Sequence, residues 1–469
     1  MDSTFSPLLS RRNLLELSGL GMGSLALRGL LQADSRVPMD LAPRPTHFAP
    51  RAKAVIQFVM NGGPSQMDLF DPKPMLTKYS GKPHPDGVEI HQPNNANVLM
   101  GSPFQFRRAG QSGIEISEAL PQLATIADDL CVIRSMYSEH NNHPEGLNQL
   151  QTCRIFPGRP VMGAWISYAL GSVNRNLPAF VVLRDPEGYP VSGKQLWSSG
   201  WLPALFQGVE FSPTGPPVRN LNPLKPLPPG VQREQLDFLA EVNKRHLANH
   251  AGDTELEARI QNYELAARMQ LAAAEVLDLS RESDATRKLY GLDNTLTAPF
   301  GARCMMARRL VESGVRFVQV FSGPGQPWDH HSRIKTDLPK ICAKTDLPVV
   351  GLIKDLQSRG LFDSTIVLWS GEFGRLPTTQ NSDGRDHNRN AFSLFLAGGG
   401  FKRGLAYGET DEFGYKATVN RVGTPDLQAT ILHALGLDHM RMTFSHGGRA
   451  ETPTDATVTG AKPVTGLLS

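Results

Sequence analysis

Six short stretches of this chain are apolar along nearly their whole length: AVIQFVM (54–60), CVIRSM (131–136), FVVL (180–183), VRFVQVF (315–321), TIVLWS (365–370) and FSLFLAG (392–398). A strand with one face in water alternates polar and apolar side chains. Strands that do not alternate are buried on both faces, as in parallel sheets covered by helices. Between the stretches lie helical patterns such as GARCMMARRLVESG and LPVVGLIKDLQSRGL, stopped by Gly314 and Gly360. Strand, helix and strand in that order predict an α/β fold, a three-layer sandwich around a mainly parallel central sheet.

The middle of the chain reads differently. From Asp185 to about Gly230 prolines replace apolar runs, as in SPTGPPVRNLNPLKPLPPGV, and the helix formers of TELEARIQNYELAARMQLAAAEVLDLS (254–280) follow. Residues from about 185 to 298 are therefore expected to form an irregular and helical cap inserted in an α/β domain of residues 51–446. A Thr- and Gly-rich tail, 447–469, is expected to be flexible. The 48 basic and 45 acidic side chains leave a net charge of +3, too little to draw the chain to nucleic acid or an anionic membrane. Cys131, Cys153, Cys304 and Cys342 form no C-x-x-C motif, so they read as buried thiols, or as one or two disulfides in an oxidising space.

Residues 1–33 read as an address. Ser10, Arg11 and Arg12 stand directly before an apolar Gly- and Leu-rich run, the pattern of a twin-arginine export signal, with 34–50 as a linker. The run is shorter than the ~20 residues of a membrane span and Arg28 interrupts it, so no stable transmembrane segment is expected. The twin-arginine translocase is then a partner and the periplasm the destination. A surface amphipathic helix is the alternative.

In an open parallel sheet, ligands bind beyond the carboxyl ends of the strands. Asn61, Asp68 and Asp71 follow the first apolar run, and Glu139, His140 and His143 follow the second. Asp329, His330 and His331 follow the fourth, and Glu372, Arg375, Arg385, Asp386 and His387 follow the fifth. Imidazole and carboxylate are ligands for Zn, Mn or Fe. Taken singly, His140 or His330 reads as a hydrogen-bonded surface residue, and Asp68 or Asp71 as a turn cap. Glu372, hemmed by Gly371 and Gly374, needs a cation or a donor beside it; Arg375 or Arg385 would serve as a structural ion pair. Pro144 marks a helix start with His143 at its cap, where free N–H groups can meet an anion.

The blocks FVMNGGPSQMDLFDPKP, NNHPEGLNQLQTC, LPAFVVLRDPEGYP, WSSGWLPALFQG, PWDHHS, GEFGRLP, GRDHN, FLAGGGFKRG and GETDEFGY cover most of 50–445 in order. They resemble the bacterial domain-of-unknown-function 1501 family, which is similar to the alkaline phosphatase and sulfatase superfamily. That resemblance implies an alkaline phosphatase-like sandwich and a divalent metal, Zn, Mn or Ca, at the strand ends. By chain order it implies Asp329, His331, Glu372 and His387 as ligands, with Asn61 and Asp68 at the first-strand position. Asn142, His143 and Pro144 stand where a nucleophile is expected and offer no hydroxyl or thiol. Chemistry would then use metal-activated water, His143 or Glu145, with Arg375 and Arg385 holding the anion of a small-molecule or glycan phosphate or sulfate ester. A non-catalytic exported binding or scaffold protein is the alternative. A nucleotide-binding oxidoreductase is set aside, because no G-x-G-x-x-G follows a strand.

Overall fold

The computed structural model describes residues 40–469 except 215–217, 219–227, 229 and 251–253. Residues 1–33, read from the sequence as an export signal, therefore lie outside the described residues. Met39–Ser469 form one compact unit.

The strands of the central sheet are β1 (Ala54–Val59), β2 (Leu130–Tyr137), β3 (Phe180–Leu183), β4 (Val209–Glu210), β5 (Phe317–Phe321), β6 (Thr365–Ser370), β9 (Phe392–Ala397), β10 (Leu405–Tyr407) and β11 (Val422–Gly423). They lie in the order β10-β2-β9-β6-β1-β5-β3-β4, with β11 also paired to β2. Every residue of β1, β3, β5, β6 and β9 is buried, which is why their sequences show no alternation. Neighbours pair in parallel except at β9, which runs against both β2 and β6. The cause is the antiparallel ribbon of β7 (Gly374–Gln380) and β8 (Gly384–Asn388), inserted directly after β6. It turns the chain at the carboxyl end of the sheet, so β9 can only enter running backwards.

Helices α5 (Ala298–Glu312) and α6 (Ile334–Ser358) cover one face, sharing a core with Ile56, Phe58, Val181, Val318 and Val320. On the other face α2 (Met162–Leu170) comes so close that a Cβ on Gly163 would lie 2.7 Å from the Phe180 ring. The result is a mixed α/β sandwich with a mostly parallel central sheet.

The excursion after Asp185 includes β4, which extends the sheet edge beside β3, and two helices, α3 (Val231–Asn249) and α4 (Thr254–Leu277). The segment after Gly447 is held down rather than loose. A hairpin pairs Phe444–His446 with Arg449–Glu451, Arg159 reaches Glu451 at 2.7 Å, and Ser469 N–H donates to Gly400 O at 2.9 Å. All four cysteines are buried free thiols, and burial pushes the Cys131 thiol up to about 12. Among the described residues no helix is long and apolar enough to cross a membrane.

Candidate metal centre

The carboxyl ends of three adjacent strands and the turned-back ribbon deliver polar side chains to one place. After β1 the chain turns through Gly62, whose φ of +119° suits glycine and whose Cβ would lie 2.7 Å from the Asp329 backbone N. After β5 the loop carries Asp329 and His331, and after β6 comes Glu372. The ribbon contributes Arg375 from β7 and His387 from β8. Gly384 lets the ribbon approach, since a Cβ there would sit 2.0 Å from the carbonyl carbon of His331. Opposite stands α1 (His143–Thr152), with Pro144 in its first turn and His143 at its start.

Each of three imidazoles has one nitrogen committed to an oxygen that can only accept. His143 Nδ1 is 2.7 Å from Glu372 Oε1, and His387 Nδ1 is 2.7 Å from the Asn141 carbonyl. His331 Nδ1 meets Gln380 Oε1, and the Gln380 amide is oriented by its Nε2 donating to Pro93 O at 3.2 Å. Because a carboxylate or carbonyl oxygen offers no proton, each Nδ1 carries the hydrogen, and each Nε2 is left to meet either a cation with its lone pair or an acceptor with an N–H. All three Nε2 atoms face the Asp329 carboxylate: His143 at 3.3 Å from Oδ2, His331 at 3.0 Å and His387 at 3.3 Å from Oδ1. Each Nε2 can therefore donate to the carboxylate, as the 3.3 Å contact of His387 with Asp329 Oδ1 allows, or share a cation with it.

Those separations fit a metal. Two ligands bound to a tetrahedral ion at roughly 2.0–2.1 Å stand about 3.3 Å apart. His143, Asp329 and His387 offer ligand atoms all within 4.8 Å of one another, with His331 joining through Asp329. Each histidine also has the outer hydrogen bond that metal-binding imidazoles require. His143 Nε2 is buried and makes no hydrogen bond, as does the second oxygen of Glu372.

Burial would raise the Asp329 pKa, yet the Arg375 guanidinium and the three imidazoles hold it far below the usual carboxylate range. Burial works to lower the pKa of His143, but Asp329 and Glu372 outweigh it, so the net shift is upward. His387 is pushed down to about 3, chiefly by burial and with the help of Arg375, against the pull of Asp329. Burial likewise lowers the neighbouring His330 to about 4.

Of the residues expected at the site, Asp329, His331, Glu372, His387, His143 and Arg375 come together, but not all in the places anticipated. Glu372 stands behind His143, with Oε1 also accepting Gly62 N–H at 2.9 Å, rather than beside Asp329. Arg375 donates to the carbonyls of Gly63 and Arg385, to Gly62 O and to Asp329 Oδ1 at 2.6 Å, so most of its N–H groups are spent on the protein. Arg385 lies apart, in a buried pair with Asp68 at 2.7 Å and with further bonds to Leu376 O and Met100 O. Neither of that pair reaches the centre. Asn61 points elsewhere: its Nδ2 donates to Gly323 O and Gly325 O and its Oδ1 accepts from Ser322, pinning the loop that leads to Asp329. Glu145 accepts from Asn142 Nδ2 at 2.6 Å, on the half-exposed outer side of α1. Sequence reasoning did not name Gln380, the Asn141 carbonyl or His91, whose ring stacks on His387 at 4.9 Å. No spacing pattern marks any of the three.

Several solved structures resemble the chain loosely. They include Ps i-CgsB (11% identity, TM-score 0.36, 82% of this chain and 72% of that one). The sulfatase PsFucS1 from Pseudoalteromonas sp. shares 12% identity (TM-score 0.33, 91% and 72%). The alkaline phosphatase of the Antarctic bacterium TAB5 shares 10% (TM-score 0.32, 82% and 98%). No curated protein matches. The model of the family described as "Protein of unknown function (DUF1501)" matches residues 52–468, nearly the whole described chain, and the protein belongs to that family.

Proposed function

We propose that this protein is an exported metal-dependent hydrolase that cleaves a phosphate or sulfate ester with activated water. One observation carries the reading: three imidazole Nε2 atoms, on rings each fixed by an outer hydrogen bond, converge on a single carboxylate. His143, His331, His387 and Asp329 would hold the ion. Three imidazoles and one carboxylate suit Zn or Mn better than Ca, which takes 6–8 oxygen ligands. A bound divalent cation supplies a nucleophile at neutral pH by lowering the pKa of water from 15.7 to about 7.

The chain's own groups do the rest. Glu372, Gln380 and the Asn141 carbonyl hold the three rings in the tautomer that leaves Nε2 free. Arg375 keeps Asp329 ionised and in place. His143 spends Nδ1 on Glu372 and turns Nε2 toward Asp329, which suits a ligand rather than a nucleophile, and the first turn of α1 offers no hydroxyl or thiol.

Metal analysis of the purified protein and a panel of phosphate and sulfate esters test this. We expect about one Zn or Mn per chain, lost in Asp329→Asn together with ester turnover. Protein without metal, or with metal but no turnover and no response to Glu372→Gln, would leave a non-catalytic exported binding or scaffold protein. Arg11 and Arg12 support export; replacing both by Lys should abolish it.

A further inference from the structure

We propose that α3 is the docking surface for a second copy of this chain, with the two α3 helices lying antiparallel about a two-fold axis between Phe238 and Val242. The inference does not depend on the hydrolytic reading. It starts from the helix that the rest of the molecule holds least. α4 is anchored, because Leu265, Met269 and Leu277 enter the main core. None of the 19 residues of α3 is buried, and a hydrogen bond from Gln232 to Gln270 ties it to α4. Most helical stability in proteins comes from packing an apolar face, and α3 buries none.

The outer face of α3 is nonetheless apolar. Phe238 is 72% exposed, the highest value for a large apolar side chain among the described residues, and Val242, one turn on, is 43% exposed. The groove between α3 and α4 is lined from α3 by Leu236, Leu239, Ala240 and Asn243, so Phe238 and Val242 face away from it. Side chains at i and i+4 share one face of a helix, and the two make a patch without cover.

Charge selects the partner. α3 carries three acids, Glu234, Asp237 and Glu241, and three bases, Arg233, Lys244 and Arg245. A balanced helix is not drawn to an anionic lipid surface, which favours amphipathic helices rich in Lys and Arg. The order of the charges suits the same helix reversed. Glu234 stands one turn before Phe238 and Arg245 one turn after Val242. In an antiparallel pair Phe238 meets the partner's Val242, Glu234 faces the partner's Arg245, and the two-fold axis makes each contact twice. A parallel pair would set like charges against each other. The antiparallel order also brings opposite ends of the two helix dipoles together. Arg245 is held by an exposed pair with Glu241 at 3.0 Å, which it can exchange at little cost. Contact along about three turns makes a small interface, below the roughly 1,200 Å² of stable complexes, so the association depends on concentration.

Sedimentation equilibrium of the full chain, from about one to a few hundred micromolar, tests this. We expect a monomer–dimer equilibrium. Phe238→Glu should raise its dissociation constant about tenfold or more, because a central aromatic becomes a charge. The side chain is exposed, so the far-UV circular dichroism should not change. Glu234→Arg and Arg245→Glu should each raise the constant about three- to tenfold, and the two together should restore it. Monomer throughout the range, a dimer indifferent to Phe238→Glu, or a double variant no better than either single overturns the proposal. A monomer that floats with vesicles of phosphatidylcholine and phosphatidylglycerol, and ceases to when Phe238 is replaced, gives the face to lipid and overturns it too. None of these readouts involves the metal centre, so their failure leaves the hydrolytic reading standing.

Discussion

Two buried aspartate–arginine pairs lie close together on the carboxyl side of the sheet, and they are built differently. In the pair of Asp68 and Arg385 every contact joins a donor to an acceptor: the carboxylate takes Nε at 2.7 Å, Nη2 at 3.2 Å and the Ser65 hydroxyl, and Arg385 spends its other donors on carbonyls. Both side chains are 0% exposed. Asp329 also takes an arginine, but it faces three imidazole Nε2 atoms as well and remains 16% exposed. A closed pair holds the fold together. A carboxylate on which three imidazoles converge has the makings of a cation site, and that difference separates scaffold from candidate site where residue type alone does not.

The most severe way to break the comparison is Asp68→Ala. It would leave the Arg385 guanidinium buried without its counter-charge and should cost about 3–5 kcal/mol in denaturant unfolding. Asp329→Asn in metal-free protein should cost far less while removing metal binding. Tolerance of the first change and unfolding by the second would invert the assignment.

A third buried carboxylate, Asp346, sharpens the contrast because among the described residues no arginine is bonded to it and Arg107 acts on it only weakly from further off. Its oxygens accept N–H from Gln122 at 2.7 Å and Leu123 at 2.8 Å, yet burial outweighs both and pushes its pKa up to about 6 from the ordinary 3.8. The folded protein therefore holds this proton more tightly than the unfolded chain does. Stability from this group is greatest below about pH 4, declines as pH rises towards 6 and is level above, a loss of roughly 3 kcal/mol. Asp346→Asn should flatten the stability profile between those limits. An unchanged slope would assign the titration to another group.

Much of this was legible in the sequence because burial on both faces leaves a signature. Strands whose neighbours cover them cannot alternate, and the runs at 54–60, 315–321 and 365–370 correspond to β1, β5 and β6. The position of Asp329, His331 and His387 beyond strand ends followed from the same sheet. Pairing was not legible. Asp68 and Arg385 are 317 positions apart, and their charges look no different from those at the centre. His143 was visible as a helix start, but its role depends on Glu372 lying behind it, which only the packing of α1 reveals. The Thr- and Gly-rich tail suggested looseness by composition, while the ion pairs that fix it, such as Arg159 with Glu451, join distant segments.

The outer hydrogen bonds give the finer distinctions. Loss of such a partner typically lowers metal affinity 10- to 100-fold. Glu372→Gln should fall at the upper end by chelator competition, because it removes a charge from a side chain that is 1% exposed and leaves His143 with a weaker acceptor. Gln380→Leu should fall at the lower end, about tenfold. His331 is 23% exposed in its side chain, so water can take the Nδ1 proton that Gln380 now accepts. The two changes touch different ligands of one ion through the same kind of bond, and they differ chiefly in burial. An effect of Gln380→Leu as large as that of Glu372→Gln would mean that geometry, not desolvated charge, governs how firmly the rings are held. The contrast between the closed pair and the aspartate of the candidate site would then have to be drawn from ring orientation alone.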